Sequence, residues 1–444
     1  MTCQIFESAR LHGSVQVPPA KEEVLRALLL SALGQGSCRI HGLASPLCKE
    51  AGNMAQGIAA VGAKASWEGD VLRVEPGPQG PGQGEEPFRA LALSPVWPLL
   101  LPALWVRGRE AALTLEEEPE PPALLELENL SRQAGCGVTL GQDSEPPLQI
   151  EVYGKLNAGE YQVDSSLGDP LLSGLLMALS HATDGEGKAA PSRLTVTGPM
   201  ACRAQVDTAL EWMRRFGRSY EEKEAGVFTL SPSQERGPED VKLAGDWVQG
   251  AALLCANALG SGVRVENLRG GSRELGPQRE ARILDLLGQM GLSVFGNREE
   301  WYVTSPSRAR LLPLRADCGD VLEVAPLLAL LCTQACGESI LSGIRGSREA
   351  EDTLPEATVE LLTRMGARAG LSEEGDALVI HGPTRLRGGL EADAGGDARI
   401  VLLAAFAALV AQGPLAVSGA EVLDESWPGF LAAYQALGGN VSQR

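Results

Sequence analysis

The chain has 444 residues, roughly two to three times the length of a typical domain, so we expect more than one hydrophobic core. Apolar residues make up 44% and charged residues 21%, a balance typical of a folded globular chain rather than a disordered one. The formal net charge of −19 disfavours nucleic acids and anionic membranes as partners, but it leaves room for a local basic pocket that binds a small phosphate or carboxylate.

The cysteines and histidines argue against disulfides and metals. The nine cysteines are odd in number and scattered, which favours a reducing compartment. Cys332 and Cys336 are spaced i,i+4 on a predicted helix, and we favour a packing pair over a ligand pair. The four histidines form no HxH or HxxxH pair, so we expect no metal site and no cofactor.

The chain also lacks the signals of secretion and membrane insertion. The opening MTCQIFESAR has no signal-peptide core, and the longest apolar run, residues 400–411, is too short to span a bilayer. We therefore expect a soluble cytoplasmic protein.

One pattern of predicted elements recurs along the chain: an apolar helix ends at a glycine, and two β-like segments follow with a polar turn between them. The marker glycines are 72 to 80 residues apart and are predicted to be left-handed at helix ends: Gly62, Gly137, Gly217, Gly291, Gly366 and Gly438. A further helix, leading through glycine to a strand, is predicted at 21–32, 248–258, 322–335 and 397–411. The sequence thus predicts six α/β units of roughly 74 residues.

Six units are too many for one core, so we predict two halves, with sheets facing solvent and helices buried between them. Two segments rich in turn-forming residues, 17–20 and 231–240, are candidate crossings between the halves. The predicted domains are residues 1–18 with 242–444, and residues 19–241. The cleft between two such halves is the default position for a ligand.

Five motifs stand in order along the chain. They are VQVPPAKEEVLRALLL (15–30), VDSSLGDPLLSGLLMA (163–178), GDWVQGAALLCANAL (245–259), GDARIVLLAAFAAL (396–409) and ESWPGFLAAYQALGG (425–439). The first is similar to the P-G-S-K-S-x-S-N-R-A-L-L-L of the EPSP synthase (3-phosphoshikimate 1-carboxyvinyltransferase) family, and the other four resemble later motifs of that family in the same order.

The resemblance implies a fold and a reaction. The fold is an enolpyruvyltransferase-like inside-out α/β prism, with two halves of three βαβαββ repeats each. The reaction moves a carboxyvinyl group from phosphoenolpyruvate to the 5-hydroxyl of shikimate 3-phosphate. Such a reaction needs cations for two phosphates and a carboxylate, together with an acid and a base.

The resemblance also assigns roles to matching residues. The predicted catalytic residues are Lys21, Glu323 and Glu351, with Glu323 at the position of the proposed base. The predicted substrate-binding residues are Lys21, Arg26, Ser166, Arg348, Asp397 and Arg399.

Other positions depart from the family pattern. Glu22 replaces the serine after the motif lysine, Val24-Leu25 replace a Ser-Asn pair, and Gly168-Asp169-Pro170 replace Ser-Ser-Gln. Trp97 stands where the phosphoenolpyruvate loop has an arginine, and further family cations or polar groups are replaced by Ala350, Leu354, Ala398 and Glu425. Each lost charge-assisted contact costs about 1.5–3 kcal/mol, so we predict that phosphoenolpyruvate binds weakly or not at all in its usual pose.

Several of these residues also have a purely structural interpretation. Lys21 and Arg26 could be solvated, and Glu22 and Glu23 could be surface charges. Asp397 could be an N-cap, and Glu351 could equally belong to the exposed acidic face REAED. For Trp97 we favour packing over a stacking platform.

Two functions fit these observations. The first is a divergent carboxyvinyl (enolpyruvyl) transferase homologue that acts on or binds a small anionic, shikimate-3-phosphate-like metabolite, with the standard phosphoenolpyruvate reaction weak or lost. The second is a catalytically inactive homologue that serves as a ligand-binding or protein-interaction module. The expected partners are thus a small anionic metabolite, phosphoenolpyruvate as a candidate, and a protein in the inactive case. An RNA-phosphate cyclase, which shares the repeat class, would need a histidine nucleophile and a basic surface, and the sequence supports neither.

Overall fold

The computed structural model describes most of the chain as two compact units. The described residues are 3–43, 47–77, 88–92, 96–115, 121–140, 148–200, 203–232, 236–269, 279–296, 300–304, 311–319, 321–345 and 353–444. We call Met1–Ala20 with Ala244–Arg444 the flanking unit, and Lys21–Leu243 the central unit. Each unit encloses a hydrophobic core of its own.

The strands are short, and most are bounded by turns. In chain order they are β1 (Cys3–Glu7), β2 (His12–Gln16), β3 (Cys38–His41), β4 (Lys64–Glu68), β5 (Val71–Glu75), β6 (Phe88–Ala92), β7 (Ala111–Leu115), β8 (Gly137–Leu140), β9 (Leu148–Tyr153), β10 (Glu160–Asp164), β11 (Ser192–Thr197), β12 (Ser219–Glu224), β13 (Val227–Ser231), β14 (Asp240–Lys242), β15 (Gly262–Glu266), β16 (Ser293–Gly296), β17 (Glu300–Thr304), β18 (Arg315–Asp317), β19 (Gly337–Ser342), β20 (Arg368–Leu371), β21 (Ala377–Gly382), β22 (Leu390–Asp393), β23 (Leu415–Ser418) and β24 (Asn440–Gln443).

Within the described residues, each unit holds three four-stranded sheets of one design. The central unit has the orders β14-β3-β5-β4, β6-β7-β9-β8 and β10-β11-β13-β12, and the flanking unit has β2-β15-β17-β16, β18-β19-β21-β20 and β22-β23-β1-β24. In every sheet the first two strands are parallel and the later neighbours are antiparallel. The predicted fold class, an α/β protein built from six repeats in two sets of three, is confirmed.

The helices differ in burial in a regular way. They are α1 (Lys21–Leu33), α2 (Lys49–Gly57), α3 (Val96–Arg107), α4 (Pro121–Ala134), α5 (Asp169–Leu179), α6 (Arg203–Arg215), α7 (Trp247–Ala258), α8 (Ile283–Gln289), α9 (Ala325–Gln334), α10 (Leu354–Arg364), α11 (Ala398–Ala407), α12 (Leu423–Ser426) and α13 (Phe430–Ala436). The odd-numbered helices α1 to α11 are almost wholly buried, because apolar residues occupy most positions around them. None of the helices described is both long and apolar enough to cross a bilayer.

The buried helices of the central unit pack closely against each other. A Cβ added at Gly174 of α5 would lie 2.7 Å from the carbonyl oxygen of Leu99 on α3. Only glycine allows the two backbones to approach this closely. The first turn of α5 carries Asp169 and Ser173, which are described below, so this packing helps to fix their positions.

Five of the six marker glycines behave as predicted. Gly62, Gly217, Gly291, Gly366 and Gly438 all have positive φ, between 70° and 95°. The prediction for Gly137 is wrong, because the left-handed residue after α4 is Gly135, with φ 64°. Gly137 instead begins β8 and pairs with Tyr153, whose ring would lie 1.9 Å from a Cβ at that position. Gly137 therefore leaves room for the ring of Tyr153 and does not end a helix.

The predicted cysteine pair is also wrong in its geometry. α9 ends at Gln334, so Cys336 lies beyond the helix, and its N–H donates to the carbonyl of Leu311 at 2.9 Å. Cys332 is fully buried, and burial raises the pKa of its thiol to about 11. Cys332 is therefore an inert packing residue.

We predict that alanine at Gly135 and at Gly137 destabilises the central unit for different reasons. Gly135→Ala puts a Cβ on a left-handed backbone in open space, which costs about 1–2 kcal/mol. Gly137→Ala displaces the Tyr153 ring, so its effect disappears in a Tyr153→Ala background, whereas that of Gly135→Ala persists. Free energies of unfolding from chemical denaturation test this, and an unchanged effect of Gly137→Ala in both backgrounds would contradict it.

Candidate functional site

Lys21 begins α1 and is already paired within the central unit. Its Nζ lies 3.1 Å from Oε1 of Glu50 on α2, and its side chain is 45% exposed. Burial alone would lower the pKa of Lys21, but the Glu50 carboxylate outweighs it and raises the pKa above its usual value. The lysine is thus a charged, half-exposed group with an internal counter-ion.

Arg26 lies one turn further along α1 and is completely buried. Its guanidinium donates to the Glu22 carboxylate, to Asp169 Oδ2 at 3.3 Å and to Ser173 Oγ at 3.4 Å. It also donates to the carbonyl of Gln205 on α6 at 3.4 Å. We call Glu22, Arg26, Asp169 and Ser173 the Arg26 cluster. It joins α1 to α5 and α6 through a single guanidinium.

The Arg26 cluster carries two carboxylates around one cation. Burial would lower the pKa of Arg26, but the charges of Glu22 and Asp169 raise it above its usual range. Burial raises the pKa of Asp169, and Arg26 offsets only part of that increase. With both acids ionised the cluster has an excess of negative charge, which is unfavourable for a bound phosphate.

The structure corrects several expectations about α1. The interpretation of Arg26 as a solvated side chain is wrong, since it is 0% exposed. Glu23 is not a surface charge either: it is 2% exposed and lies 3.9 Å from Nη1 of Arg215. Val24 and Leu25 belong to the hydrophobic core, so these departures change the core rather than a polar surface.

The remaining predicted residues of this unit lie nearby or in the core. Ser166 is exposed in a 3-10 turn, and its N–H donates to Oδ1 of Asp164 at 2.9 Å. Trp97 lies on α3 and is 7% exposed in the core, which agrees with packing. The central unit thus brings Lys21 and Arg26 onto the first turns of one helix, with Ser166 three residues before Asp169.

In the flanking unit the structure brings Glu323, Asp397 and Arg399 together, and we call them the Arg399 cluster. Asp397 is the N-cap of α11, accepting from the N–H of Arg399 at 2.8 Å, so the structural interpretation is confirmed. The same carboxylate holds the Arg399 guanidinium, with Nη2 2.7 Å from Oδ2. Nη1 of Arg399 lies 3.3 Å from Oε1 of Glu323, which is 48% exposed. The predicted Arg348 and Glu351 lie outside the described residues.

Sequence reasoning missed an acidic residue beside Glu323. The carboxyl group of Glu280 has its pKa raised to about 7, first by burial and then by the charges of Asp246 and Glu323. The raised pKa favours the protonated form of Glu280 at a higher pH than for an ordinary carboxyl group. No motif in the sequence marks Glu280, because its raised pKa depends on burial in the folded chain. Among the described residues, no group of three or more acidic, histidine or cysteine side chains could hold a metal ion.

Comparison with known proteins decides the family. The sequence model of EPSP synthase (3-phosphoshikimate 1-carboxyvinyltransferase) matches residues 5–433. The chain belongs to the EPSP synthase family.

Relatives in this family match over nearly their whole length. The chain is 27% identical over 449 residues to the 3-phosphoshikimate 1-carboxyvinyltransferase of Methanocorpusculum labreanum, covering 99% of each chain. It is 28% identical to that of Aeropyrum pernix, covering 98% of this chain and 96% of the other.

The fold is shared with solved structures. The EPSP synthase of Acinetobacter baumannii superposes with a TM-score of 0.79 at 19% identity, with all of both chains covered. The enolpyruvyl transferase NikO of Streptomyces tendae superposes with a TM-score of 0.70 at 19% identity, covering 100% of this chain and 98% of the other.

The charges of the two clusters can be compared with those of the ligands that EPSP synthases bind. EPSP synthases bind phosphoenolpyruvate and shikimate 3-phosphate, both small anions. Three of the cations predicted to hold such anions are described: Lys21, Arg26 and Arg399. Each of them contacts at least one carboxylate of its own unit.

We predict that the two ion pairs of α1 differ sharply in their effect on stability. Arg26→Met leaves Asp169 buried without its cation, which should lower the free energy of unfolding by about 3–5 kcal/mol. Lys21→Met breaks a half-exposed pair and should cost less than about 1 kcal/mol. Denaturant unfolding of both variants measures the difference, and equal losses would contradict the internal role of Arg26.

Proposed function

We propose that this chain is a divergent enolpyruvyl transferase homologue that acts on or binds a small shikimate-3-phosphate-like metabolite. In this proposal the standard transfer from phosphoenolpyruvate is weak or lost. Membership of the EPSP synthase family supports the reaction class. The fold is also shared with NikO, which is named as an enolpyruvyl transferase and not as an EPSP synthase.

One observation carries the proposal. Arg26, which matches the family arginine on the shikimate side, has no exposed surface and is held by Glu22 and Asp169. Both acids stand where the family has small polar residues. A phosphate that approached this guanidinium would have to displace a carboxylate that is already bonded to it, and the second carboxylate would repel it. The ligand we infer therefore places no phosphate against Arg26.

The other cations support the same conclusion. Lys21 is bonded to Glu50, and Arg399 is held by both Asp397 and Glu323. Catalysis of carboxyvinyl transfer needs positive charge that is available to the substrate in the transition state. Charge that is already neutralised contributes less to that stabilisation.

A catalytically inactive homologue is the second candidate, and the same pairing of all three cations favours it. In that case the chain serves as a ligand-binding or protein-interaction module. The two candidates differ most clearly in whether a pocket for a shikimate-type compound survives. In calorimetric titrations with shikimate 3-phosphate and with shikimate, binding of either compound supports the divergent homologue, and binding of neither supports a module for another ligand or for a protein.

We predict that wild-type protein releases phosphate from phosphoenolpyruvate and shikimate 3-phosphate far more slowly than an EPSP synthase does. Glu22→Ser/Asp169→Ser removes both acids from Arg26 and should tighten shikimate 3-phosphate binding tenfold or more, since a charge-assisted contact contributes about 1.5–3 kcal/mol. The matched control is Glu151→Ser/Glu160→Ser, which removes two exposed carboxylates elsewhere in the central unit.

Phosphate release and calorimetry on folded variants measure both effects. Turnover by the wild type at the rate of an ordinary synthase would contradict the proposal. Equal tightening in the control variant would show that overall charge, rather than the Arg26 cluster, governs binding.

A further inference from the structure

The chain passes between the flanking unit and the central unit twice. The first connection, residues 17–20, leads from β2 to α1, and the second connection, residues 243–246, leads from β14 to α7. Hydrogen bonds within the flanking unit hold the two connections beside each other. Several of these bonds are made by Asn267, which directly follows β15.

The side chain of Asn267 binds both polar backbone groups of Val17. Its Oδ1 accepts from the N–H of Val17 at 3.1 Å, and its Nδ2 donates to the carbonyl of Val17 at 2.7 Å. A carboxamide carries a donor and an acceptor together, so it can pair with the backbone of one residue as a neighbouring strand would. Val17 is only 2% exposed, so water has little access to these backbone groups.

The backbone of Asn267 holds the second connection. Its carbonyl accepts from the N–H of Gly245 at 2.8 Å. The two connections are also bonded to each other: the N–H of Asp246 donates to the carbonyl of Pro18 at 2.9 Å, and Pro19 pairs with Gly245 in an antiparallel bridge. Asn267 thus joins two segments that are far apart in the sequence.

The local backbone fits this contact closely. Asn267 has φ 61°, and within the described part of the chain it is the one residue other than glycine with a positive φ. This conformation is uncommon, even though asparagine tolerates it better than most residues, and it persists where surrounding contacts hold it. An added Cβ at Gly245 would lie 2.6 Å from Cγ2 of Val17 and 2.9 Å from Oδ1 of Asn267, so a larger residue would push these two apart.

The second connection changes partners within a few residues. The N–H of Leu243 donates to the carbonyl of His41 in the central unit at 2.9 Å, whereas the N–H of Gly245 donates within the flanking unit. Ala244 is the single residue between these two donors.

The first connection changes partners in the same way. Pro19 pairs within the flanking unit, and α1 of the central unit begins at Lys21. Ala20 is the single residue between them.

We propose that Asn267 is a clamp that fastens both connections to the flanking unit and leaves Ala20 and Ala244 as the points about which the two units move. Asn267 lies outside the five sequence motifs, the Arg26 cluster and the Arg399 cluster. The inference therefore goes beyond the proposed function and does not rest on it.

Hydrogen exchange of single backbone amides, followed by NMR on the full chain, tests the clamp without a ligand. Asn267→Gly keeps the left-handed backbone but removes both side-chain hydrogen bonds. We expect exchange at least tenfold faster at Val17 and Asp246, because loosening of one connection loosens the other, and unchanged exchange at Leu243.

Three results of the exchange measurement would overturn the proposal. Unchanged exchange at Val17 would show that Asn267 does not hold the first connection. An increase at Val17 alone would show that the two connections are not clamped together. An equal increase at Leu243 would show that the loosening does not end at Ala244.

Asn257→Ala is the matched control. Asn257 makes the same pair of bonds elsewhere in the flanking unit, since its Nδ2 donates to the carbonyl of Val263 and its Oδ1 accepts from the N–H of Val263, each at 2.7 Å. This variant should speed exchange at Val263 and leave Val17 and Asp246 as in the wild type. Equally fast exchange at Val17 and Asp246 in the control would trace the effect to a general loss of stability, against the proposal.

Small-angle X-ray scattering measures the movement itself. Asn267→Gly frees residues of both connections, so the two units should adopt a wider range of arrangements and the radius of gyration should increase. Asn257→Ala should keep the wild-type radius. The same radius in Asn267→Gly and in the wild type would show that the clamp does not limit the movement, and would overturn the proposal.

Discussion

A guanidinium that is removed from water must find negative charge inside the protein, and Arg26 finds it in Glu22 and Asp169. This interaction ties the first turn of α1 to the first turn of α5, and the carbonyl of Gln205 brings in α6. These helices form much of the core of the central unit. The positions of the polar side chains in their first turns therefore depend on how Arg26 is neutralised. In the EPSP synthase family the ligands are anions, and here the chain itself provides the anions for this arginine.

In the flanking unit, an arginine is likewise held by carboxylates of its own unit, but its side chain is less buried than that of Arg26. Arg399 is held by the N-cap carboxylate of Asp397 and touches Glu323, and its side chain is 23% exposed. In both units, acids of the chain thus lie beside the described cations that match the family motifs.

Much of the fold could be predicted from the sequence, because the signals repeat. Five marker glycines have the left-handed backbone that a helix end favours, and the helices richest in apolar residues are the ones that are buried. Gly137 misled the prediction because a glycine beneath an aromatic ring and a glycine at a helix end look alike in sequence.

The candidate site could be predicted only in part. Motif matching placed Lys21, Arg26 and Arg399, but their partners depend on contacts between distant segments, such as Arg26 with Asp169. Glu23 shows the same limit, since a charged residue in a first helical turn is usually exposed and this one is buried.

The Arg26 guanidinium is neutralised by Glu22 and Asp169 of its own chain, and we infer that it takes no part in binding shikimate 3-phosphate. Nitrogen-15 NMR of the arginine side chains, with the Arg26 resonance assigned by a conservative Arg26→Lys variant, observes this group directly. We expect a slowly exchanging Arg26 signal that does not shift when shikimate 3-phosphate is added up to saturating concentration. A ligand-dependent shift of that signal, absent on addition of unphosphorylated shikimate, would show that the phosphate reaches Arg26 and would contradict the account.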